Sequence, residues 1–435
     1  MKKLFALAVL MLISLVAGPF NDPSQAQTGT PKPKPPTPTV TVTPFVSHRV
    51  YPDNVLYTPE QLQAAYDVKP LLDAGFDGDG QTIALVEIDS FVQKDIDSFV
   101  KRNHLPTPHI ETILFNGAKF ELAPPNYEAT ADIETVLSIA PKATILVYQT
   151  DRRLDLGVFT QIVADERAKV AVLSIGGCEP GQPASFLHIA HKIFSSTHDA
   201  HISLFFSSGD AGAYGCQGLP YVTPPPFATK LAVADWAADP SVTAVGGTLL
   251  HLKNGQYSEE VFNSSYWVYG ASGGGVSSIW PIPYYQKDYL LKDLNPQQTR
   301  QVPDVAASAD NFGFIVNGTL THGGGTSYSA PLWAAGTLLV DQFLNNDIEI
   351  NNPLALLTAP EMLYQLKTAY MAGKLDKMPF HEITKGDNRH YIAGPGYNLA
   401  TGLGSPDFYN IALDTQQLYR DQSLSTAVAT QTARP

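Results

Sequence analysis

Several short, almost entirely apolar segments restrict the fold of this chain more than any other feature. They read TIALVEI at 82–88, ATILVYQ at 143–149, KVAVLSI at 169–175 and HISLFFSS at 201–208. Segments with helical periodicity separate them, such as ASFLHIAHKIFSSTHDA at 184–200. Strands that are apolar on both sides must be covered on both sides, and the intervening helices can provide that cover. The pattern predicts an α/β fold with a mostly parallel central sheet and helices on both faces.

The two ends of the chain lack this pattern. Residues 1–26 combine paired lysines with an apolar run and end on Ser-Gln-Ala, which is typical of a secretory signal peptide. A retained membrane anchor is the alternative interpretation. Residues 27–47 are rich in proline and threonine, which predicts an extended linker. We expect the globular domain to span 48–420 and residues 421–435 to form a flexible tail without periodicity.

The charge of the chain limits its partners. Asp and Glu number 41 against 28 Lys and Arg, which gives a formal net charge of −13 at pH 7. Nucleic acids and anionic membranes are bound through basic patches, so this balance argues against both. We expect no nucleic acid partner, no membrane contact after signal cleavage, and a secreted monomer.

The chain has two cysteines, Cys178 and Cys216, and export would allow them to form a disulfide. Each lies just beyond an apolar strand, at the same end of the predicted parallel sheet. If those two strands are neighbours, the loops can meet within disulfide reach. Two buried thiols are the alternative.

A glycine-rich bend leads into an apolar helix at GGGTSYSAPLWAA, residues 323–335. Glycines permit positive φ and close backbone approach, and a helix N-terminus presents N–H groups and the positive end of a dipole. We expect Pro331 in the first turn of this helix, where proline is tolerated. Ser327 could there be a nucleophile beside developing negative charge, or an ordinary N-cap.

Carboxyl groups are the candidate partners of such a serine. Glu128 and Asp132 lie one helical turn apart in YEATADIETVLSIAP, and Asp132 borders the apolar stripe of that helix. Burial together would raise one pKa, although a solvated acidic first turn is the alternative. Asp210 lies between glycines in SSGDAGAYGC, where a turn aspartate is the alternative. Neither an HGT-type histidine segment nor a GxSxG elbow accompanies Ser327, so a carboxylate base is predicted.

These motifs together resemble the sedolisin family, serine-carboxyl peptidases with a subtilisin-like fold. GGTSYSAP resembles the GGTSxxxP signature, EATAD the Glu-x-x-x-Asp helix and SSGDAGA the SGDSG-like oxyanion segment. Further matching blocks are YTPEQLQAAYDV, DPSVTAVGGT, ASGGGVS, VPDVAASAD and AGPGYNLATGLGSP. Family members usually carry a large prodomain, which we expect this chain to lack, since only the proline-rich segment separates the signal from the domain.

The resemblance implies roles for the candidate residues. Ser327 would be the nucleophile, with Glu128 as its general base and Asp132 orienting that base. Asp210 would be protonated and donate to the oxyanion. The implied activity is that of a secreted, acid-active endopeptidase acting on peptides or denatured proteins. A tripeptidyl-peptidase and an inactive sedolisin-like binding protein are the alternatives. Many relatives read SxSWG where this chain reads VLSIGGCEP, so an aromatic that supports the acid network is missing.

The resemblance also implies a structural calcium ion near the carboxyl end of the domain. The ligands it implies are Glu382, Ile383, Gly394, Gly396 and Asn398. Glu382 and Asn398 stand where the family has aspartates. The number of charged ligands tunes calcium affinity, and only Glu382 keeps a formal charge. We therefore expect weak calcium binding, through backbone carbonyls and Glu382, with a contribution from Asp387.

Overall fold

The predicted apolar segments form a central sheet in a computed structural model of the chain. The structure describes residues 56–119, 127–151, 153–216, 230–253, 256–264, 270–346 and 358–432. The predicted signal peptide and linker lie outside these ranges.

Strands and helices alternate between residues 82 and 207, and a run of strands then precedes the helix that begins at Thr326. The helices are α1 (Pro59–Ala65), α2 (Lys69–Asp73), α3 (Gln93–Arg102), α4 (Glu128–Ile139), α5 (Gly157–Asp165), α6 (Ala184–Asp199), α7 (Thr326–Asn345), α8 (Ala359–Met371) and α9 (Phe408–Thr432). The strands are β1 (Thr82–Glu87), β2 (His109–Leu114), β3 (Thr144–Gln149), β4 (Val170–Leu173), β5 (Ser203–Ser207), β6 (Thr243–Lys253), β7 (Gln256–Val261), β8 (Asn263–Ser264), β9 (Gly270–Ala271), β10 (Gly275–Pro281), β11 (Thr299–Val302), β12 (Val305–Ser308), β13 (Phe312–Val316), β14 (Thr319–Gly323), β15 (Phe380–His381) and β16 (Ser405–Pro406).

The central sheet has 8 strands, in the order β12-β6-β5-β4-β1-β3-β2, with β7 paired to β6 off this path. Neighbours along that order run parallel, and only the β6–β7 pair among these strands is antiparallel. Val86 pairs with Leu173 and Leu173 with Phe206, so β1, β4 and β5 end side by side. The segments that follow these strands therefore meet at one edge, where α/β sheets place their sites.

Helices cover both faces of the sheet. Phe205 and Phe206 are consecutive in β5, so their side chains point to opposite faces. Phe205 belongs to the buried cluster that contains Trp333 of α7. Phe206 instead packs against Phe159 of α5 and Phe194 of α6. The prediction of an α/β fold with a mostly parallel sheet covered on both faces is confirmed.

The predicted disulfide is also present. Strands β4 and β5 are neighbours, and the loops after them bring the Cα atoms of Cys178 and Cys216 to 4.9 Å in a disulfide. The bond ties the loop that contains Asp210 to the loop that follows β4. Proximity of the two strands is thus the reason the cysteines meet, as the sequence suggested.

The position of Pro331 differs from the prediction. Helix α7 begins at Thr326, so Pro331 lies inside the helix and not in its first turn. A proline there has no N–H to donate to the carbonyl four residues earlier, which is that of Ser327. The hydroxyl of Ser174 lies 3.2 Å from this carbonyl. The carbonyl that the proline leaves without a helical donor therefore has a polar side chain beside it.

The C-terminal segment also differs from the expectation of a tail without regular structure. Helix α9 starts at Phe408 and continues to Thr432. The segment has neither glycine nor proline between these residues. A helix that has already nucleated extends through such a sequence at little cost, even without a clear apolar stripe. Lack of periodicity was therefore a poor indicator of where this helix ends.

Within the described residues, no helix combines the length and the apolar character that a membrane crossing requires. The apolar run of the predicted signal peptide lies outside those residues, and the signal-peptide prediction stays a prediction.

Candidate active site

Helix α4 positions two carboxyl groups at the carboxyl edge of the sheet. Glu128 is the first residue of the helix, and Asp132 lies one turn later on a buried surface. The N–H of Ala129 donates to the Asp89 carboxylate at 3.3 Å, just beyond the end of β1. This contact fixes the start of the helix against the sheet, so both carboxyl groups point into a defined space.

Glu128 lies against the hydroxyl group of Ser327. Burial raises the pKa of Glu128 to about 8, the hydrogen bond from Ser327 lowers it, and the charges of Asp89 and Asp210 raise it. Its Oε1 atom is buried. Removal from water disfavours the charged form, so this carboxyl is a strong proton acceptor once it ionises.

A third carboxyl group, that of Glu87 at the end of β1, lies beside Asp132. Burial raises the pKa of Glu87 well above its usual value, and the neighbouring charge of Asp132 adds to this effect. Burial and the charge of Glu128 likewise raise the pKa of Asp132. Both Glu87 oxygens and Oδ1 of Asp132 are buried. A hydrogen bond between the two carboxyl groups adds to the raised pKa of Glu87 and lowers that of Asp132. Crowded carboxyl groups cannot all ionise, so the cluster retains protons towards neutral pH.

Ser327 is the second residue of α7 and faces this cluster. Its hydroxyl donates to the carbonyl of Ser174 at 3.2 Å, and it is also the hydrogen-bond partner of Glu128. Since α7 starts at Thr326, the Ser327 N–H has no acceptor within the helix. The residue thus presents a hydroxyl next to a base and an N–H available to an anion.

Asp210 approaches Ser327 from the other side. Its Oδ1 accepts hydrogen bonds from the N–H of Thr326 at 2.7 Å and from the Thr326 hydroxyl at 3.1 Å. Burial raises the pKa of Asp210, while the Thr326 hydrogen bonds lower it. Gly325 has φ +133°, and a Cβ there would lie 2.8 Å from Oδ2 of Asp210. The glycine lets Asp210 approach the helix start, and its Oδ2 remains as the donor atom when protonated.

Ser174, directly after β4, connects the buried acids to the segment that contains Ser327. Its hydroxyl lies 2.8 Å from Oδ2 of Asp132 and 3.2 Å from the carbonyl of Ser327. It has one proton to donate, and the shorter distance favours Asp132. The Ser327 hydroxyl in turn lies 3.2 Å from the Ser174 carbonyl, so the two serines contact each other through both hydroxyl groups.

All the predicted catalytic residues come together here: Ser327, Glu128, Asp132 and Asp210. Their chemical roles stay predictions. Sequence reasoning missed Glu87 and Ser174, each of which lies at or just beyond the carboxyl end of a buried strand. A polar residue at that place, directly after an apolar run, was the signal that could have found both.

Comparisons with known proteins agree with this geometry. No family model matches the sequence. Kumamolisin from Bacillus sp. (strain MN-32) is 30% identical over 374 residues, which cover 80% of this chain and 62% of kumamolisin. Tripeptidyl-peptidase 1 of Homo sapiens is 25% identical over 311 residues, or 65% of this chain and 50% of that protein. The structure of Pseudomonas sedolisin, a serine-carboxyl proteinase, matches with a TM-score of 0.69 and 26% identity, over 82% of this chain and 97% of that chain. The chain belongs to the sedolisin family.

The chain is similar to only part of each curated relative: it spans 62% of kumamolisin and 50% of tripeptidyl-peptidase 1. The activity and the substrates of this sedolisin-family chain are therefore proposals that depend on its own residues.

The residues predicted to bind calcium lie together only in part. The side-chain amide of Asn398 is 3.4 Å from the carbonyls of both Ile383 and Gly394. Glu382 instead accepts a hydrogen bond from the Lys367 ammonium at 2.7 Å. Asp387 accepts hydrogen bonds from the side chain of Asn263 and the N–H of Arg389. No contact that places Gly396 in this set is seen among the described residues.

As arranged, these groups do not fit a calcium ion. Calcium requires several oxygen atoms directed at one point. Here an N–H donor points at the carbonyls, and the carboxylate is bound to an ammonium group. The prediction of calcium binding stays a prediction, and no step of the chemistry below depends on a metal.

We expect Ser174→Ala to lower kcat about tenfold while changing KM little. The loss corresponds to one positioning hydrogen bond of roughly 1–1.5 kcal/mol, since Asp132 would lose its donor. Ser174→Thr keeps a hydroxyl and should restore part of the rate. Ser98→Ala removes an exposed serine hydroxyl, bonded to the Lys94 carbonyl, and is the matched control. Equal losses in Ser174→Ala and Ser174→Thr would show that the hydroxyl does not position the site.

Proposed function

We propose that this chain is a serine-carboxyl endopeptidase that hydrolyses peptide bonds through an acyl-enzyme on Ser327. The observation that carries the proposal is the contact of the Ser327 hydroxyl with Glu128, backed by the buried acids Asp132 and Glu87. A serine hydroxyl is a weak nucleophile unless a base takes its proton. Family membership supports the same chemistry.

In the acylation step, ionised Glu128 accepts the Ser327 proton while Oγ attacks the peptide carbonyl carbon. Burial raises the pKa of Glu128 to about 8, and it raises the pKa values of Asp132 and Glu87 well above their usual range. Crowded carboxyl groups cannot all ionise, and Glu128 is the one in contact with Ser327, so in the proposed mechanism Glu128 is ionised while Asp132 and Glu87 hold protons. A protonated Asp132 can then orient Glu128 as a neutral donor without repelling its charge.

The tetrahedral intermediate carries a negative oxygen. The Ser327 N–H, at the start of α7, can donate to it, and the positive end of the helix dipole lies there. Protonated Asp210 supplies a second donor from Oδ2, because Oδ1 is held by Thr326. Collapse of the intermediate expels the amine, which takes the proton from Glu128. Water then attacks the ester with Glu128 again as base, releasing the acid and restoring Ser327.

The proposed substrates are peptides and denatured proteins. Export also belongs to the proposal, with residues 1–26 as the signal peptide and the disulfide as a supporting feature. A tripeptidyl-peptidase is the second candidate, because tripeptidyl-peptidase 1 is among the relatives of this chain. An endopeptidase and a tripeptidyl-peptidase share this catalytic geometry and differ in whether the substrate amine must be held.

Incubation of the full chain with a denatured protein, followed by mass-spectrometric mapping of the product ends, tests the proposal. Internal cuts support the endopeptidase, and stepwise release of tripeptides from the N-terminus supports the second candidate. A correctly folded chain that makes no cuts at any pH between acid and neutral would contradict both and leave a binding protein.

We expect Ser327→Ala to abolish cleavage and Glu128→Gln to reduce kcat/KM by about a thousandfold. Glutamine keeps the shape of glutamate but cannot accept the proton, and general base catalysis contributes about 10²–10⁴-fold. Asp132→Asn should cost less, because Asp132 only orients Glu128. Glu60→Gln, at an exposed position in α1, is the matched control. Circular dichroism must show each variant folded; activity retained in folded Ser327→Ala would remove Ser327 from the mechanism.

We expect kcat/KM to follow a bell-shaped pH profile with its maximum below neutral. Activity rises as Glu128 ionises and falls as Asp210, whose pKa burial raises, loses the proton it donates. Protonation of Asp210 removes a charge that raises the pKa of Glu128, so the rising limb lies below the value of about 8. Rates that climb up to about pH 8 would contradict both the acid optimum and the role of protonated Asp210.

A further inference from the structure

Residues 382–402, which make up most of the loop between β15 and β16, support the catalytic site. The carbonyl of Asn388 accepts a hydrogen bond at 3.1 Å from the N–H of Ala213, in the loop that contains Asp210. The carbonyl of Ala400 accepts one at 2.6 Å from the Ser272 hydroxyl. Whatever holds the 382–402 loop therefore also holds the oxyanion side of the active site.

Asn398 is the polar centre of this loop. Its Oδ1 accepts from the backbone N–H groups of Ala400 and Thr401, both at 3.0 Å, and from the Thr401 hydroxyl at 3.1 Å. Two N–H donors on one side fix which end of the amide is oxygen. The Nδ2 group must then point the other way, towards the carbonyls of Ile383 and Gly394.

The Asn398 amide offers the two carbonyls a hydrogen-bond donor, whereas a carboxylate at this position would offer only acceptors. With an aspartate, which the family pattern has here, a carboxylate oxygen would face the carbonyls and the oxygens would repel one another without a cation between them. With Asn398, the partly positive N–H hydrogens face the same carbonyls and satisfy them. A cation entering that space would meet the hydrogens of Nδ2, which repel it.

The only carboxylate among the implied ligands has a different partner. Nζ of Lys367, in α8, lies 2.7 Å from Oε1 of Glu382, and the lysine side chain is only 3% exposed. Turning Glu382 towards a metal would leave that buried ammonium group without its counter-ion. Breaking such a pair on one side is strongly destabilising. Glu382 is therefore held by Lys367, and the ammonium group neutralises the negative charge that Glu382 would otherwise offer to a cation.

We propose that this chain holds the 382–402 loop without calcium, with the Asn398 amide and the Lys367 ammonium group in place of the ion. Asn398 satisfies the carbonyls of Ile383 and Gly394, and Lys367 neutralises Glu382. The loop, and with it the Asp210 side of the active site, then keeps its structure when calcium is removed. The inference does not depend on the proposed peptidase activity, because it concerns only the stability of the fold.

Thermal unfolding of the full chain at neutral pH provides the test, with millimolar calcium in one sample and excess EDTA in the other. We expect the same melting temperature in both samples within about 1 °C, because a ligand that does not bind the native state cannot stabilise it. Magnesium in place of calcium controls for general salt effects. A wild-type melting temperature that rises by several degrees with calcium but not with magnesium would overturn the proposal.

The double variant Asn398→Asp with Lys367→Met tests the two groups directly. Its second carboxylate faces the carbonyls, and its Glu382 has lost the ammonium partner. We expect it to melt below the wild type in EDTA and to gain about 5 °C or more with calcium. Lys367→Met alone should melt lower without gaining that response, since Nδ2 of Asn398 still faces the carbonyls. A folded double variant that is as insensitive to calcium as the wild type would show that these residues do not take the place of an ion.

Discussion

The burial of several carboxyl groups in one small space is the constraint on which the rest of the site depends. Glu87 ends β1, and Glu128 and Asp132 stand one turn apart on α4, so three acids converge where water is excluded. Desolvation and mutual repulsion prevent all of them from ionising at neutral pH. The cluster can therefore release one proton from Glu128 while its neighbours remain neutral donors. The proposed mechanism needs a carboxylate base of this kind, and the parallel sheet brings the acids together because its strands end at one edge.

The residues around the start of α7 place Ser327 against this cluster. Gly325 lets Asp210 approach the start of α7, and Pro331 leaves the Ser327 carbonyl without its helical donor. The Ser174 hydroxyl donates to Asp132 and lies 3.2 Å from that carbonyl, so one hydroxyl links the start of α7 to the buried acids. The disulfide and the 382–402 loop hold the Asp210 loop from outside. These contacts fix the backbone on the Asp210 side of Ser327.

Much of this could be predicted from the sequence, because it depends on short-range patterns. The apolar runs indicated the parallel sheet, and the motifs around Ser327, Glu128, Asp132 and Asp210 indicated a site that the structure does assemble. The partners that sequence could not reveal are tertiary. Glu87 meets Asp132, Ser174 meets Ser327, and Lys367 meets Glu382 only because separate elements pack together. The end of α9 escaped prediction for a different reason, since helix propagation needs no apolar periodicity once the helix has formed.

Infrared spectroscopy of the carboxyl groups can show directly whether Glu128, Asp132 and Glu87 form a cluster that shares protons. Protonated and ionised carboxyl groups absorb at different frequencies, so a pH series taken on the wild type and on folded Asp132→Asn and Glu128→Gln variants reports which groups hold protons. We expect a protonated-carboxyl band that persists at neutral pH in the wild type and is reduced in Asp132→Asn. It also predicts a component that ionises first and is missing from Glu128→Gln. A difference spectrum in which both groups are fully ionised in mildly acid solution would contradict the shared-proton cluster.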